Sequence, residues 1–146
     1  MGKVNIVIPI LLVSILLASS PTKAGEFSID CSYKFDMLSR CAEVISDIVT
    51  DKYIAKFPSN KFSIFVHSDI HAYSNGGFVA YAVAGVVPIA SYQFPRKRYA
   101  TTTMEREKRV GQLILAEVEK ENFRDVVKQL MDDCEISTSC DVYVPK

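Results

Sequence analysis

Residues 61–87 read KFSIFVHSDIHAYSNGGFVAYAVAGVV, and this stretch decides the fold of the chain. In its first half, a mostly apolar set of side chains at the even positions alternates with a more polar set at the odd positions. This period of two predicts a β-strand. The pair Asn75-Gly76 predicts a tight hairpin turn, because both residues tolerate positive φ. The second half is apolar on both faces and predicts a central, buried strand that ends at Pro88.

Three polar side chains share one face of the first strand: His67, Asp69 and His71, the first and last being the only histidines of the chain. A two-residue turn places each of them opposite an alanine, for example His71 opposite Ala80, whereas a three-residue turn shifts every partner by one. Two imidazoles beside a carboxylate could hold zinc or another divalent ion, or could act as a base and its orienting group. The simpler interpretation is the polar face of a half-exposed strand, with no cofactor.

The segment before the hairpin has helical periodicity. Residues 35–57 carry apolar side chains at intervals of three and four, which predicts one helix that ends before Pro58. Cys41 falls on the apolar face of this helix. We therefore expect a single N-terminal helix to pack on the sheet.

After the hairpin, residues 91–103 are predicted to form a loop, and Thr102 with Glu105 fits a capping box. Residues 103–133 then predict one helix or two, and residues 142–144 a short strand. The expected class is α+β, with one N-terminal helix packed on a small antiparallel sheet and a further helix toward the C-terminus.

Residues 1–24 have the pattern of a secretory signal peptide. Lys3 supplies the positive charge, an apolar run follows, and a plausible cleavage site ends at Ala24. The apolar run has about 13 residues, fewer than the roughly 20 of a spanning helix. We expect a secreted protein, extracellular or, in a bacterium, periplasmic. Its mature part, residues 25–146, is expected to be one domain without a membrane contact, and near-neutral charge gives no argument for nucleic acid.

All four cysteines, Cys31, Cys41, Cys134 and Cys140, lie in the mature part. An even number in an exported chain predicts two disulfides, and the spacings match no zinc motif. Bonds between the N-terminal and the C-terminal pair are favoured, because Cys41 faces the core and a long closed loop restricts the unfolded chain most. Local bonds, Cys31 with Cys41 and Cys134 with Cys140, are the open alternative.

A basic and aromatic segment follows the hairpin. Its candidate contact residues are Tyr92, Phe94, Arg96, Lys97, Arg98, Tyr99, Arg106, Lys108 and Arg109. Arginine interleaved with aromatic rings suits a protein interface or the stacking of RNA bases, and a solvated loop is the plain alternative. The sequence contains no Gly-x-Ser-x-Gly, no His-Glu-x-x-His and no phosphate-binding glycine loop, so a binding protein is favoured over an enzyme.

Several short motifs follow an N-terminal cysteine and a predicted helix: KFP at 56–58, VPI at 87–89, Tyr99 and RV at 109–110, with a late cysteine. This order resembles the small secreted guanine-specific fungal ribonucleases. It resembles even more the ribonuclease-like effectors that powdery mildew fungi secrete into plant cells. The resemblance implies one helix on an antiparallel sheet, a strand at the RV motif, and a disulfide that joins the chain ends.

The resemblance also implies that the catalytic chemistry is lost. Ser59 stands where the active ribonucleases have a histidine, and Val86 where they have a glutamate base. Arg109 matches the arginine that steadies the phosphate, but no histidine follows His71 to serve as the late acid. Cleavage of RNA needs an acid and a base. The implied function is a secreted, non-enzymatic virulence effector that engages a host protein, or RNA.

The residues are also compatible with two other functions. A bacterial periplasmic inhibitor, immunity or accessory protein would share the signal peptide and the disulfides. A metal-dependent hydrolase would use His67, Asp69 and His71 as its site.

Overall fold

The structure, a computed structural model, describes residues 26–35, 40–89, 91, 93–106 and 108–145. The elements follow in the order β1 (Ile29–Ser32), α1 (Cys41–Ile45), α2 (Asp51–Lys56), β2 (Phe62–Ala72), β3 (Phe78–Pro88), β4 (Tyr99–Glu105) and α3 (Gln112–Ile136). The predicted α+β class is confirmed. The predicted signal peptide lies outside the described residues. None of the helices in the described ranges is long and apolar enough to cross a bilayer.

The four strands form one sheet in the order β1-β2-β3-β4. β2 and β3 form the predicted antiparallel hairpin, and β4 adds antiparallel to β3. β1 lies parallel to β2, with Ile29 opposite Ile64. The expectation of a purely antiparallel sheet is therefore wrong at this edge. A parallel neighbour needs a crossover connection, and the segment with α1 and α2 supplies it.

Helix α3 covers one face of the sheet and contacts β2, β3 and β4. On β3 this face carries Ala80, Ala82 and Ala84, which are fully buried. Because three methyl groups take little space, the helix can approach the strand closely and pack Phe123 and Val127 into the core. The core therefore lies between α3 and this helix-covered face.

The prediction of one helix over residues 35–57 is wrong, because the described part of this segment contains two short helices. α1 ends at Ile45, and α2 begins after Thr50, whose backbone is extended and whose hydroxyl accepts a hydrogen bond from Tyr53 N–H at 3.3 Å. The extended backbone of Thr50 interrupts the helical conformation before α2 begins, so the apolar periodicity continues while the helix does not. The predicted stop before Pro58 agrees with the end of α2.

The turn between α1 and α2 is fastened to α3 by an ion pair. Both Nη atoms of Arg124 donate to the carboxylate of Asp47, at 2.9 and 2.7 Å, and Nη1 also donates to the carbonyl of Val44. The bond from Arg124 lowers the pKa of Asp47 below its usual value. This contact fixes the crossover segment on the helical layer.

The loop predicted over residues 91–103 is partly wrong, because residues 99–105 form β4. The proposed capping box at Thr102 and Glu105 is therefore wrong too, since both residues lie in the strand. Helix α3 begins only at Gln112, and residues 142–144 form no strand. The threonines of β4 find partners on α3, and this tertiary contact outweighs the local helical pattern.

The two disulfides are Cys31–Cys41 and Cys134–Cys140. The favoured pairing between the chain ends, which the resemblance also implied, is therefore wrong. Cys41 is buried as predicted, at 5% exposure. Its partner lies on β1, which the parallel pairing brings beside the core, so a bond that is local in sequence still joins a helix to the sheet.

Candidate functional site

The β2–β3 turn has three residues rather than two. Tyr73 N–H donates to the carbonyl of Gly77 at 2.7 Å, and Ser74, Asn75 and Gly76 form the loop between them. Gly76 has a φ of 101°, which glycine adopts without steric cost. The three-residue alternative of the sequence analysis is therefore the one that forms.

This turn sets the partners of the polar residues on β2. His67 lies opposite Val83, Asp69 opposite Tyr81, and His71 opposite Val79. The alanines expected as their partners point to the helix-covered face instead. The positions opposite the three polar residues are thus occupied by valine and tyrosine, which are larger than alanine.

Among the described residues, no element covers the second face of the sheet, which we call the open face. Burial of the alternate residues assigns its members. The open face is formed by Asp30 and Ser32 of β1, Phe65, His67, Asp69 and His71 of β2, Val79, Tyr81 and Val83 of β3, and Ala100, Thr102 and Met104 of β4. The central strands therefore present valine and tyrosine to solvent, where the sequence predicted burial on both faces.

On the open face, His67 of β2 lies between side chains of both neighbouring strands. Its Nδ1 lies 2.5 Å from the hydroxyl oxygen of Ser32 on β1, and its Nε2 lies 3.4 Å from the hydroxyl oxygen of Tyr81. The rings of His67 and Tyr81 are 5.8 Å apart. Side chains from three strands, β1, β2 and β3, thus meet at this imidazole.

Asp69 and His71 have other partners. Asp69 accepts a hydrogen bond from Ile70 N–H at 2.8 Å and lies 3.9 Å from Lys34 Nζ. His71 is exposed and its ring lies 5.3 Å from that of Tyr73 at the turn. Alternate residues of a strand are about 6.6 Å apart, so the three side chains stand in a row rather than around a point.

The metal interpretation finds no support in this geometry. No group of three or more histidine, cysteine, aspartate or glutamate side chains in the described ranges is arranged to hold a metal ion. Catalysis by His67 with Asp69 as its orienting group is not supported either. The two ring nitrogens of His67 lie beside the hydroxyls of Ser32 and Tyr81, and neither bonds to Asp69.

One end of the open face is closed by the segment after β3. Pro95 is buried against Gly85, where an added β-carbon would lie 2.4 Å from the proline ring. Phe94 is largely exposed and packs edge-on against Phe65, with ring centroids 5.2 Å apart. Among the described residues of the predicted basic and aromatic segment, Phe94 therefore extends the open face with an aromatic ring.

The cationic and aromatic residues before β4 are bound to the C-terminal part of the chain. Lys97 Nζ lies 2.6 Å from the carboxylate of Asp133 and donates to the carbonyl of Asp141 at 2.7 Å. Tyr99 donates its hydroxyl to Asp133 on α3. The bond from Lys97, followed by that from Tyr99, lowers the pKa of Asp133. Burial and the bond to Asp133 raise the pKa of Tyr99. These groups therefore stabilise the fold.

The remaining residues of the segment do not form one patch. Arg96 donates to the carbonyl of Pro145 at 2.9 Å, and Arg98 is exposed beside it. Arg106, Lys108 and Arg109 follow β4, about 20 Å further along at 3.3 Å per residue, and are exposed. Tyr92 lies outside the described residues. The other eight predicted contact residues are therefore divided between the two ends of β4.

The three positions that correspond to catalytic residues of the resembled ribonucleases are also apart from one another. Val86 is buried on the helix-covered face near the end of β3. Arg109 lies beside Gly76 at the opposite end of the sheet, with its side chain over the hairpin turn. Ser59 lies in the turn between α2 and β2. These three positions do not converge on one substrate.

The sequence analysis missed two residues of this surface, Tyr81 and Ser32. The sequence analysis left two turn lengths open, and only the three-residue turn places Tyr81 on the face of the polar residues. Ser32 belongs to β1, which has only four residues. The alternation in Ile29-Asp30-Cys31-Ser32 was the one signal available for that strand, and four residues are too few to establish a period.

The chain was compared with known proteins. No protein-family model, no curated protein and no solved structure matches it.

Proposed function

We propose that this chain is a secreted, disulfide-stabilised, non-enzymatic binding protein whose open face engages another protein. One observation carries the proposal: in the part of the chain that the structure describes, helices cover one face of the four-stranded sheet, while the other face presents aromatic and β-branched side chains. Tyr81, at the centre of this face, is 37% exposed although it lies on a central strand. In a two-layer fold such a surface is left for a partner to cover.

The composition of the open face favours a protein over RNA. Proteins meet at surfaces with an apolar and aromatic centre and a polar rim, which here are Tyr81 and Val83 flanked by the polar His67 and Asp69. Single-stranded RNA needs a cationic groove along its backbone. The basic side chains of the predicted contact segment stand at the two ends of β4, and Asp69 places a carboxylate on the face. RNA is therefore the less favoured partner.

The compartment follows from the cysteines. Two disulfides indicate an oxidising environment, outside the cytosol. Together with the predicted signal peptide, this supports secretion. The role we propose is that of an effector that acts on a host protein by binding, as the ribonuclease-like resemblance implies.

Substitution of Tyr81 by arginine tests the proposal. The oxidised protein is used to capture partners from the extracellular fluid in which it acts, and each captured protein is purified and its affinity measured directly. A charge placed at an apolar interface centre stays desolvated, so we expect Tyr81→Arg to weaken binding at least about tenfold. Binding to a polyanion such as RNA would instead be kept or strengthened.

The matched control is Gln129→Arg, which adds the same charge on the exposed side of α3. It should leave the affinity unchanged, and circular dichroism should show both variants folded. A partner that is lost by Gln129→Arg and kept by Tyr81→Arg would place the interface on the helical layer and contradict the proposal.

A cleavage assay tests the non-enzymatic part separately. The oxidised protein is incubated with single-stranded RNA, and a heat-denatured sample serves as the blank. We expect equal cleavage in both, because Ser59, Val86 and Arg109 offer no acid and base within reach of one phosphate. Turnover well above the blank would overturn this part.

A further inference from the structure

The two edges of the sheet are built differently. β1 has four residues, carries the exposed Asp30 and is fixed by the Cys31–Cys41 bond. β4 has seven residues and pairs with β3 without a bulge. Its first six residues, Tyr99 to Met104, contain no charge and no proline. Charges, prolines, bulges and short length are the devices that protect edges from further pairing, and β4 lacks them over these six residues.

β4 is also held rigidly from behind. Thr101 and Thr103 donate their hydroxyls to Asn122 of α3, at 3.4 and 2.9 Å, and Tyr99 donates to Asp133. In an antiparallel sheet every second residue of an edge strand directs its amide and carbonyl away from its neighbour. β4 therefore offers a fixed row of donors and acceptors, and a fixed strand loses little conformational freedom when it pairs.

We propose that β4 pairs antiparallel with β4 of a second copy of this chain, about a twofold axis through Thr102. Full overlap of the seven residues places the axis at this middle residue. Such an axis is perpendicular to the sheet, so both copies keep their open faces on the same side. The product is one eight-stranded sheet with a continuous open face.

The side chains of β4 are complementary to themselves in this register. Ala100 of each copy faces Met104 of the other, so a small side chain leaves room for a large one that is 57% exposed in the single chain. Thr102 faces Thr102, and Thr101 faces Thr103, all of them pairs that suit a strand. No charged residue of β4 faces a like charge, because Glu105 falls opposite Tyr99. These matches are why a second copy is favoured over an unrelated strand.

The flanks of the pairing predict its salt dependence. Beyond the strand ends, Arg98 of one copy lies nearest to Arg106 of the other, and both are exposed. Their repulsion is screened as the Debye length falls from about 10 Å at 0.1 M salt to about 3 Å at 1 M. The dimer is therefore expected to tighten with salt. Dissociation by salt would identify a charge-driven contact elsewhere and contradict the proposal.

A pair of double variants tests the register. In Ala100→Lys/Met104→Lys, each lysine faces a lysine of the second copy, and we expect the dissociation constant to rise at least about tenfold. In Ala100→Glu/Met104→Lys, each glutamate faces a lysine, and the dimer should return to within about threefold of the wild type. Both variants change the same two exposed positions, so thermal unfolding should show similar folding of the single chain.

Sedimentation equilibrium of the oxidised protein gives the readout. A wild type that stays monomeric up to about 1 mM, the weak end of measurable association, overturns the proposal. Equal dissociation of both double variants also overturns it, because opposite charges would then fail to rescue the pairing. The dimer proposal and the proposed binding function can fail independently of each other. Tyr81→Arg tests only the binding function, because Tyr81 belongs to the open face and takes no part in the β4 edge.

Discussion

At the scale of a single residue, Glu119 shows how a buried charge can hold two layers together. It is 1% exposed on α3. One carboxylate oxygen accepts hydrogen bonds from Lys34 N–H at 2.8 Å and from the hydroxyl of Ser68 at 2.9 Å, and the other accepts from Phe35 N–H at 3.0 Å. Backbone donors of the segment after β1 and a hydroxyl of β2 are thus satisfied by one side chain.

Replacement of Glu119 by glutamine should destabilise the protein. The amide can replace one carboxylate oxygen but presents a donor to the other partner, so at least one buried N–H loses its acceptor. We expect the free energy of unfolding to fall by about 1–3 kcal/mol, measured by urea denaturation. Glu117→Gln, a half-exposed change on the same helix, should stay within about 0.5 kcal/mol of the wild type. Equal effects of the two changes would show that the three hydrogen bonds contribute nothing.

At the scale of elements, the end of α3 is joined to the start of β4 through Asp133. Lys97 and Tyr99 both bond to this carboxylate, and they lower its pKa in the folded state. A carboxyl group with a lowered pKa in the folded state stabilises the protein above its unfolded value of about 3.9, and this stabilisation is lost as the pH falls through the folded value. Contact between α3 and β4 should therefore weaken in acid.

Asp133→Asn should flatten this acid dependence. The free energy of unfolding is measured between about pH 6 and pH 2, and the loss on acidification should be smaller in the variant, because the titrating group is gone. The variant should also be less stable at neutral pH. Asp132→Asn removes the same charge from the next residue without touching Lys97 or Tyr99. Identical pH profiles for the two variants would rule out a specific role for Asp133.

Elements that have a clear local sequence pattern could be predicted. Elements that depend on a tertiary contact could not. β2 and β3 were predicted with nearly their observed bounds, because alternation and the Asn75-Gly76 turn are local signals. β4 was missed because its threonines are equally compatible with a loop until Asn122 binds their hydroxyls. The length of the turn decided which side chains share the open face with His67. That length depends on backbone geometry at Gly76, which the sequence leaves open.

At the scale of the whole molecule, the disulfides close two short loops. The separations in sequence are 10 and 6 residues. In the chain-entropy model, loops of this size stabilise by about 2–3 kcal/mol each, compared with about 4.7 kcal/mol for a loop of 100 residues. Cys31→Ala/Cys41→Ala should therefore lower the free energy of unfolding by about that smaller amount. A further loss is expected because β1 is then attached less firmly to the rest of the fold.

Urea denaturation of Cys31→Ala/Cys41→Ala and of Cys134→Ala/Cys140→Ala, both under non-reducing conditions, checks these values. Peptide mapping of the unreduced protein should recover Cys31 with Cys41 and Cys134 with Cys140 in separate fragments. A single fragment that links the N-terminal to the C-terminal cysteines would contradict the pairing and restore the long-range alternative.

The parallel edge strand has a consequence for the order in which the chain folds. β2, β3 and β4 are successive antiparallel neighbours and can assemble as a local meander, whereas β1 must find β2 across an intervening crossover. Closing the small ring between Cys31 and Cys41 shortens that search before the sheet exists. We expect refolding of the oxidised chain to be faster than that of the Cys31→Ala/Cys41→Ala chain, with the difference confined to the late attachment of the N-terminal segment.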